Sequence, residues 1–402
     1  MSLAIDPIIS NVFFTLSLFP HFRQPSAGQV CENIGHDLPS ISVLLPLFRE
    51  KKEDIEITLT SLKGQTFPRG KLEVILIVEP GDGETGMYAS EAVQGLEMLG
   101  IKSKVVTSDG NPRMKPRALN VALREVENEF ICVYDASDFI ERDQIEQAVS
   151  LMLEGNYDVV QAKVCRQGST ILSRLLWLDT LLWFKKYVPM IVGLTGGFPL
   201  SGEGLFVRKS VLEEVGYFPE VLTEDACLGL LLTERGKRFA LLESTVIEKA
   251  PRNAQAHFRQ KLRWYRGYLT CLRLLIRSRM NIRKKLAFSL VFGAPIVGAL
   301  AFVSWVLFIS YWGTRLLVPE LDLVAPWMFH PAYTYALYFW SLGLTFLGPL
   351  TGIFSYLSVV PAQEQRRFVP LVLLTPLYWI FASVCAMSAF FQSATHWYKT
   401  ER

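Results

Sequence analysis

From Leu286 to Trp312 the chain carries no Asp, Glu, Lys or Arg, and two later runs, roughly Ala332 to Ser358 and Phe368 to Thr395, are equally free of charge. Each exceeds the ~20 apolar residues that cross a hydrocarbon core, where a central charge costs about 2.5 to 3.5 kcal/mol on insertion scales. The runs predict a C-terminal bundle of three transmembrane helices. A basic collar, Arg273, Arg277, Arg279, Arg283, Lys284 and Lys285, precedes the first run, and "EQRRF" places Arg366 and Arg367 before the third. Basic loops face the cytoplasm, so the C-terminus is expected outside.

Two other stretches are amphipathic. The N-terminal "IISNVFFTLSLF" is shorter, follows Asp6 and Pro7, and lacks the basic leader and cleavage site of a signal peptide. It is expected to lie in the interface. "ILSRLLWLDTLLWFKKYVPM" (Ile171 to Met190) reads either as a buried helix or as one that touches the membrane surface through its aromatics and Arg174, Lys185 and Lys186.

Up to about residue 255 charges recur every few positions, and short apolar runs alternate with helix-length segments. "ISVLLP", "LEVILIVE", "KSKVVTS" and "EFICVYD" read as strands; "KEDIEITLTSLKG" and "KPRALNVALREVE" read as helices. This alternation predicts an α/β domain with a mostly parallel sheet, whose ligands bind beyond the carboxyl ends of the strands. The expected division is an interfacial segment at 1–39, a catalytic domain at 40–255, an interfacial helix with the collar at 256–285 and a membrane domain at 286–402. A net charge of +3 and the lack of aromatic-basic strands exclude a nucleic-acid binder. Six cysteines without C-x-x-C spacing argue against zinc.

Several polar residues fall at the expected ligand edge. Glu50 ends the first strand, and Glu79 and Asp82 follow the second in "VEPGDGET", where carboxylates suit hydrogen bonds to a base or ribose. Asp135 and Asp138 in "YDASD" could hold a hard cation, which prefers oxygen ligands, or could simply cap a helix. Lys115, near Arg113 and Arg117, offers charge to a diphosphate. In "VLTEDACLGLLL" Thr223 can cap the helix that Glu224 and Asp225 open, or Asp225 can act as a general base. Gln260, Arg263 and Trp264, at i, i+3 and i+4, share one helical face: an amide, a fork-shaped cation and a flat ring.

In this order the pieces resemble the membrane-bound inverting glycosyltransferases of family 2, the group of cellulose and hyaluronan synthases. The resemblance runs from about Ser42 to Tyr268, and T-E-D followed by Q-x-x-R-W is its most specific part. The short C-terminal tail is similar to archaeal mannosyltransferases that act on dolichyl-phosphate carriers. The resemblance implies a GT-A, Rossmann-like domain, with Glu50, Glu79 and Asp82 at the nucleotide and Lys115 near the diphosphate. Asp135 and Asp138 would be the acids that hold Mn²⁺ or Mg²⁺, although Ser137 stands where the second acid of D-x-D belongs. Asp225 would be the base beside Glu224, Gln260 and Arg263 the diphosphate binders, and Trp264 the plate under the acceptor sugar. Gly202 and Glu203 in "PLSGEGLFVRK" resemble the loop lining the sugar pocket and stand on the acceptor side with Trp264. The implied activity moves mannose from GDP-mannose to a lipid-linked acceptor at the membrane. A processive synthase using UDP-glucose, a nucleotidylyltransferase and a non-catalytic membrane transport or assembly subunit are the alternatives.

Overall fold

The computed structural model describes residues 38–110, 112–317 and 349–391. Its centre is an eight-stranded mixed sheet in the order β3-β2-β1-β4-β7-β6-β8-β5. The strands are β1 (Ile41–Leu47), β2 (Leu72–Val78), β3 (Lys102–Thr107), β4 (Phe130–Val133), β5 (Phe139–Ile140), β6 (Val159–Gln167), β7 (Leu205–Arg208) and β8 (Phe239–Lys249). The first four, the strands expected from the apolar runs, pair in parallel. β2 is buried at every position, as a sheet covered by helices on both faces requires. Beyond β4 the sheet turns mixed: β7 runs antiparallel to both β4 and β6, and β6 and β8 are parallel. A bulge after Ala162 shifts the β6–β8 register and sets Arg166 directly opposite Glu248.

The long helix Ala254–Arg277, started by the Asn253 side chain accepting from the Ala256 amide, contains the Gln260–Trp264 motif. It lies between the helix Glu224–Glu234 and the C-terminal helices, chiefly Thr375–Phe391. The C-terminal runs depart from the expected bundle. Among the described residues no single helix is long and apolar enough to cross a membrane. The first run is instead a pair, Ile282–Phe292 and Ala294–Leu307, bent by 51°, and the third a pair, Gln365–Val372 and Thr375–Phe391, bent by 49°. Pro295 and Pro376 each fall at the second residue of the downstream helix, where a missing N–H and a ring clash break the ladder behind them. Of the second run only the helix Pro349–Val359 is described. The N-terminal interfacial segment and the C-terminal tail lie outside the described residues.

In the helix Ile171–Leu182 and the π-turn Trp183–Tyr187 that follows it, Arg174 and Lys185 are exposed and Lys186 partly so, and both lysines reach the C-terminal helices. Lys185 donates to the Val359 carbonyl and Lys186 to the Ser358 hydroxyl, both at 3.2 Å, and Trp177 stacks on Phe368 with ring centres 4.6 Å apart. The segment is clamped to the C-terminal helices on one side and leaves Ile171, Arg174 and Lys185 exposed.

Candidate active site

The site forms along the carboxyl edge of β1, β2 and β4. On the β1–β2 side two loops are tied together: the Arg49 amide donates to Asp82 Oδ2 at 2.5 Å, and the Glu50 amide to Thr85 Oγ1 at 3.2 Å. Asp82 thus holds the neighbouring loop. Glu79 is 6% exposed, and its Oε2 has no hydrogen-bond partner among the described residues. Burial pushes its carboxyl up, while Ser108 and the Arg113 charge oppose the shift. Arg49 and Arg113 both lie over the Phe48 ring, at 5.2 and 5.7 Å.

At the end of β4, Asp135 Oδ1 accepts from Lys115 Nζ at 2.5 Å, and the same ammonium donates to the Gly202 carbonyl at 3.0 Å. Burial opposes the Lys115 charge, but the carboxylates of Asp135, Glu224 and Glu203 outweigh it and raise its pKa well above the ordinary lysine value. Gly202 is where the acids and the cation meet. A Cβ there would stand 3.0 Å from Lys115 Nζ, 3.6 Å from Asp225 Oδ2 and 3.8 Å from Glu224 Oε1.

Glu224 is buried and Asp225 partly exposed. Burial, and for Glu224 the adjacent Asp225 charge, push both carboxyls above their ordinary range, with Lys115 pulling back on both and Arg263 on Glu224. Asp225 Oδ1 accepts from the Ala226 amide at 2.7 Å. Thr223 makes no side-chain cap bond. Its hydroxyl instead lies 3.6 Å from Cys271 Sγ, and Arg263 Nη1 donates to the Leu222 carbonyl at 3.4 Å. Arg263, Gly267 and Cys271 recur every four residues, so one face of the long helix packs on the T-E-D turn. Arg263 Nε is buried without a hydrogen-bond partner among the described residues, leaving part of the fork for an anion. Gln260, one turn upstream of Arg263, is 4% exposed.

Three expected ligands face elsewhere. Asp138 is fully buried and its Oδ2 accepts from the Asp135 amide at 2.8 Å, folded back by a positive φ of 69° at Ser137. It shapes the turn that aims Asp135, and the following helix begins only at Gln144. Glu203 pairs with Arg166 at 2.6 Å, and Glu248 holds the same guanidinium at 2.7 Å. Trp264 is 7% exposed, with the Arg166 guanidinium 5.2 Å from its ring centre, so it is backed by a cation and offers no open plate. Arg166 and Glu248 were not legible as a functional pair, because strand alternation cannot reveal the β6–β8 bulge that sets them opposite each other.

Among the described residues no group of three His, Cys, Asp or Glu side chains could hold a metal ion. Asp135, partly exposed, is the carboxylate that fits one, as a single protein ligand completed by substrate phosphates.

The model of glycosyl transferase family group 2 matches residues 130–395, which hold Asp135, Gly202, Glu224, Asp225, Gln260, Arg263 and Trp264. The chain belongs to that family. The model of glycosyl transferase family 2 also matches residues 42–216. Among curated relatives of this family-2 chain are a probable glycosyltransferase, YdaM of Bacillus subtilis, and the beta-monoglucosyldiacylglycerol synthase of a Nostoc species. The first is 25% identical, covering 64% of this chain and 62% of that protein. The second is 24% identical, covering 65% and 56%. The chain thus spans about three-fifths of the length of the curated relatives it matches. Among solved structures, the mannosyltransferase PcManGT of Pyrobaculum calidifontis, in complex with GDP-Man and Mn²⁺, matches with a TM-score of 0.56. It is 17% identical, over 95% of this chain and 98% of that one. The family-2 chain has a GT-A-like α/β fold with a mixed sheet.

Proposed function

We propose that the chain is an inverting hexosyltransferase that moves a sugar from a nucleotide-sugar donor to a lipid-linked acceptor, dolichyl phosphate or a dolichyl-phosphate saccharide, at the cytoplasmic membrane face. The observation that carries the reading is the junction at Gly202, where the Lys115 ammonium, the Asp135 carboxylate and the Glu224–Asp225 pair meet beside Arg263.

With a saccharide acceptor, Asp225, the more exposed acid, takes the proton from the attacking hydroxyl; dolichyl phosphate presents an oxygen that is already ionised. The attacking oxygen forms the new bond at the anomeric carbon, and the old bond to the nucleoside diphosphate breaks with its electron pair leaving on the diphosphate. Entry opposite the leaving group inverts the centre. Lys115 and the spare donors of Arg263 stabilise the departing charge where it develops. Buried Glu224 keeps these two cations facing the site. Mn²⁺ or Mg²⁺, held by Asp135 and donor phosphate oxygens, would add charge neutralisation there. Glu79, with Glu50 and Asp82 on the adjoining loops, borders the nucleotide.

GDP-mannose is the first donor to test, supported by the ligand of PcManGT, and glucose from UDP-glucose the second, supported by the name of the Nostoc relative. That name also supports a lipid acceptor. So do the C-terminal helices, on which Leu300, Leu307, Ile309, Leu377 and Phe391 are each more than 60% exposed. The bent pairs would then enter the bilayer with the basic collar at the headgroups.

A donor screen tests the reading. Full-length protein in lipid is given GDP-mannose or UDP-glucose, with and without Mn²⁺, and nucleoside diphosphate release is measured with polyprenyl phosphate or with free sugars. Release that depends on the lipid phosphate is expected. No release from any nucleotide sugar overturns the reading.

A further inference from the structure

Lys261 lies inside the Gln260–Trp264 motif but on another flank of its helix. Its side chain is 2% exposed, and its ammonium lies 3.7 Å from Oδ2 of Asp179, a fully buried residue on the helix Ile171–Leu182. The ring centre of Tyr378 is 4.9 Å away, and those of Trp264 and Tyr265 are 6.0 Å away. Tyr356, from the helix Pro349–Val359, donates its hydroxyl to Asp179 Oδ1. Four helices, distant in sequence, therefore meet around one buried ion pair.

Stability does not account for this pair. The Lys261–Asp179 distance of 3.7 Å is longer than a good hydrogen bond, and His257 Nε2 nearby is buried without a hydrogen-bond partner among the described residues. Burial pushes Asp179 up to about 6 and Lys261 down, each toward its neutral form. A buried pair, even one with a single further hydrogen bond such as that from Tyr356, is commonly matched or bettered by apolar residues of similar size, and the best-attested use of such pairs is to fix register. Register matters here. One flank of the helix, Arg263 with Gly267 and Cys271, packs on the T-E-D turn; the other, with Lys261, packs on the C-terminal helices. A slip of one residue turns a helix by about 100° and would carry Arg263 away from the T-E-D turn. Apolar contacts on the C-terminal flank are non-directional and resist such a slip weakly. Asp179 is itself fixed, because its helix and π-turn are held to the C-terminal helices through Trp177, Lys185 and Lys186.

We propose that Lys261, through Asp179 and Tyr356, is a positioning residue that fixes the rotation of the Gln260–Arg263 helix, so that the C-terminal helices set the geometry of the donor site. The proposal rests on the glycosyl-transfer reading for its binding readout.

The test uses full-length protein in lipid nanodiscs carrying Lys261→Met, Asp179→Leu and Tyr356→Phe together, which leaves no charge buried alone, and Tyr356→Phe by itself. Melting temperature, hydrogen exchange of the peptide 257–268, and affinity for GDP and UDP are measured. The triple variant is expected to melt within about 4 °C of the parent. It should exchange that peptide at least about tenfold faster and bind whichever nucleoside diphosphate the parent binds roughly tenfold more weakly. Parental exchange and parental affinity in a folded triple variant overturn the proposal. Should the triple variant fail to fold, Tyr356→Phe decides by the same two readouts, with a smaller change in the same direction expected and parental values overturning. If the parent releases no nucleoside diphosphate from any nucleotide sugar, the glycosyl-transfer reading fails, and exchange of 257–268 still judges the positioning role.

Discussion

Gly267 faces Thr223 so closely that a Cβ on the glycine would stand 2.3 Å from both Cγ2 and Oγ1 of the threonine. This is where the Gln260–Trp264 helix meets the turn that opens with Glu224 and Asp225. Only a residue without a side chain lets the helix come near enough for Arg263 to reach the Leu222 carbonyl. Gly267→Ala should therefore push the two motifs apart. Overpacking of this kind costs about 1–3 kcal/mol. Thermal melting should show that modest loss, while nucleoside diphosphate release falls by far more than the loss of folded protein explains; unchanged turnover would refute the coupling of the two motifs.

Asp225→Asn keeps the size of the side chain and removes the base. General-base help is typically worth about 10²–10⁴ in rate. With a saccharide acceptor, turnover should drop by that order while GDP or UDP affinity, measured by titration calorimetry, stays close to parental. Equal losses in both would instead mark Asp225 as a donor ligand.

The acid pair predicts a pH dependence. Burial and the Asp225 charge push the Glu224 carboxyl from 4.5 to about 7, and burial raises Asp225. Over that window the folded protein binds more protons than the unfolded chain, so this group's contribution to stability falls as pH rises. Both acids ionise as pH rises from an acid start, so kcat/KM should climb toward neutral pH. Glu224→Gln is expected to flatten the fall of melting temperature between pH 4.5 and 7; an unchanged slope would place the raised carboxyl elsewhere.

Arg166 is sandwiched by Glu203, Glu248 and the Trp264 ring, with all four side chains buried. Arg166→Gln leaves two carboxylates without their cation, a change that costs about 3–5 kcal/mol when one partner of a buried pair is removed. Denaturant melts should show a loss of that size, and Arg166→Lys should recover only part of it, because an ammonium cannot hold two carboxylates and stack on a ring as a planar fork does. Full recovery by lysine would mean that charge alone is needed.

Much of the site was legible because its members sit at strand ends and helix starts, positions that local pattern defines. β1 to β4 end where their apolar runs end, Asp135 follows β4, and Lys115 and Asp225 stand in the first turns of their helices. Arg263, in the middle of its helix, was legible only from the i, i+3, i+4 spacing of its motif. The bends in the C-terminal runs were also written in the chain, at Pro295 and Pro376, but absence of charge says nothing about the course of the backbone. What was not legible was side-chain direction. Asp138 turns inward through one positive φ at Ser137, and Glu203 turns to an arginine on a strand whose facing depends on a bulge two strands away from β4.

Apolar periodicity, proline placement and motif spacing are properties of neighbouring residues, so the linear chain alone established the α/β class, the parallel half of the sheet and the chemical types gathered at its edge. Which acid meets Lys115, which cation backs Trp264, and which buried pair fixes the motif helix were decided only on folding. Those choices depend on partners remote in sequence, whose charges act over a few ångströms and have no address until packing brings them into contact.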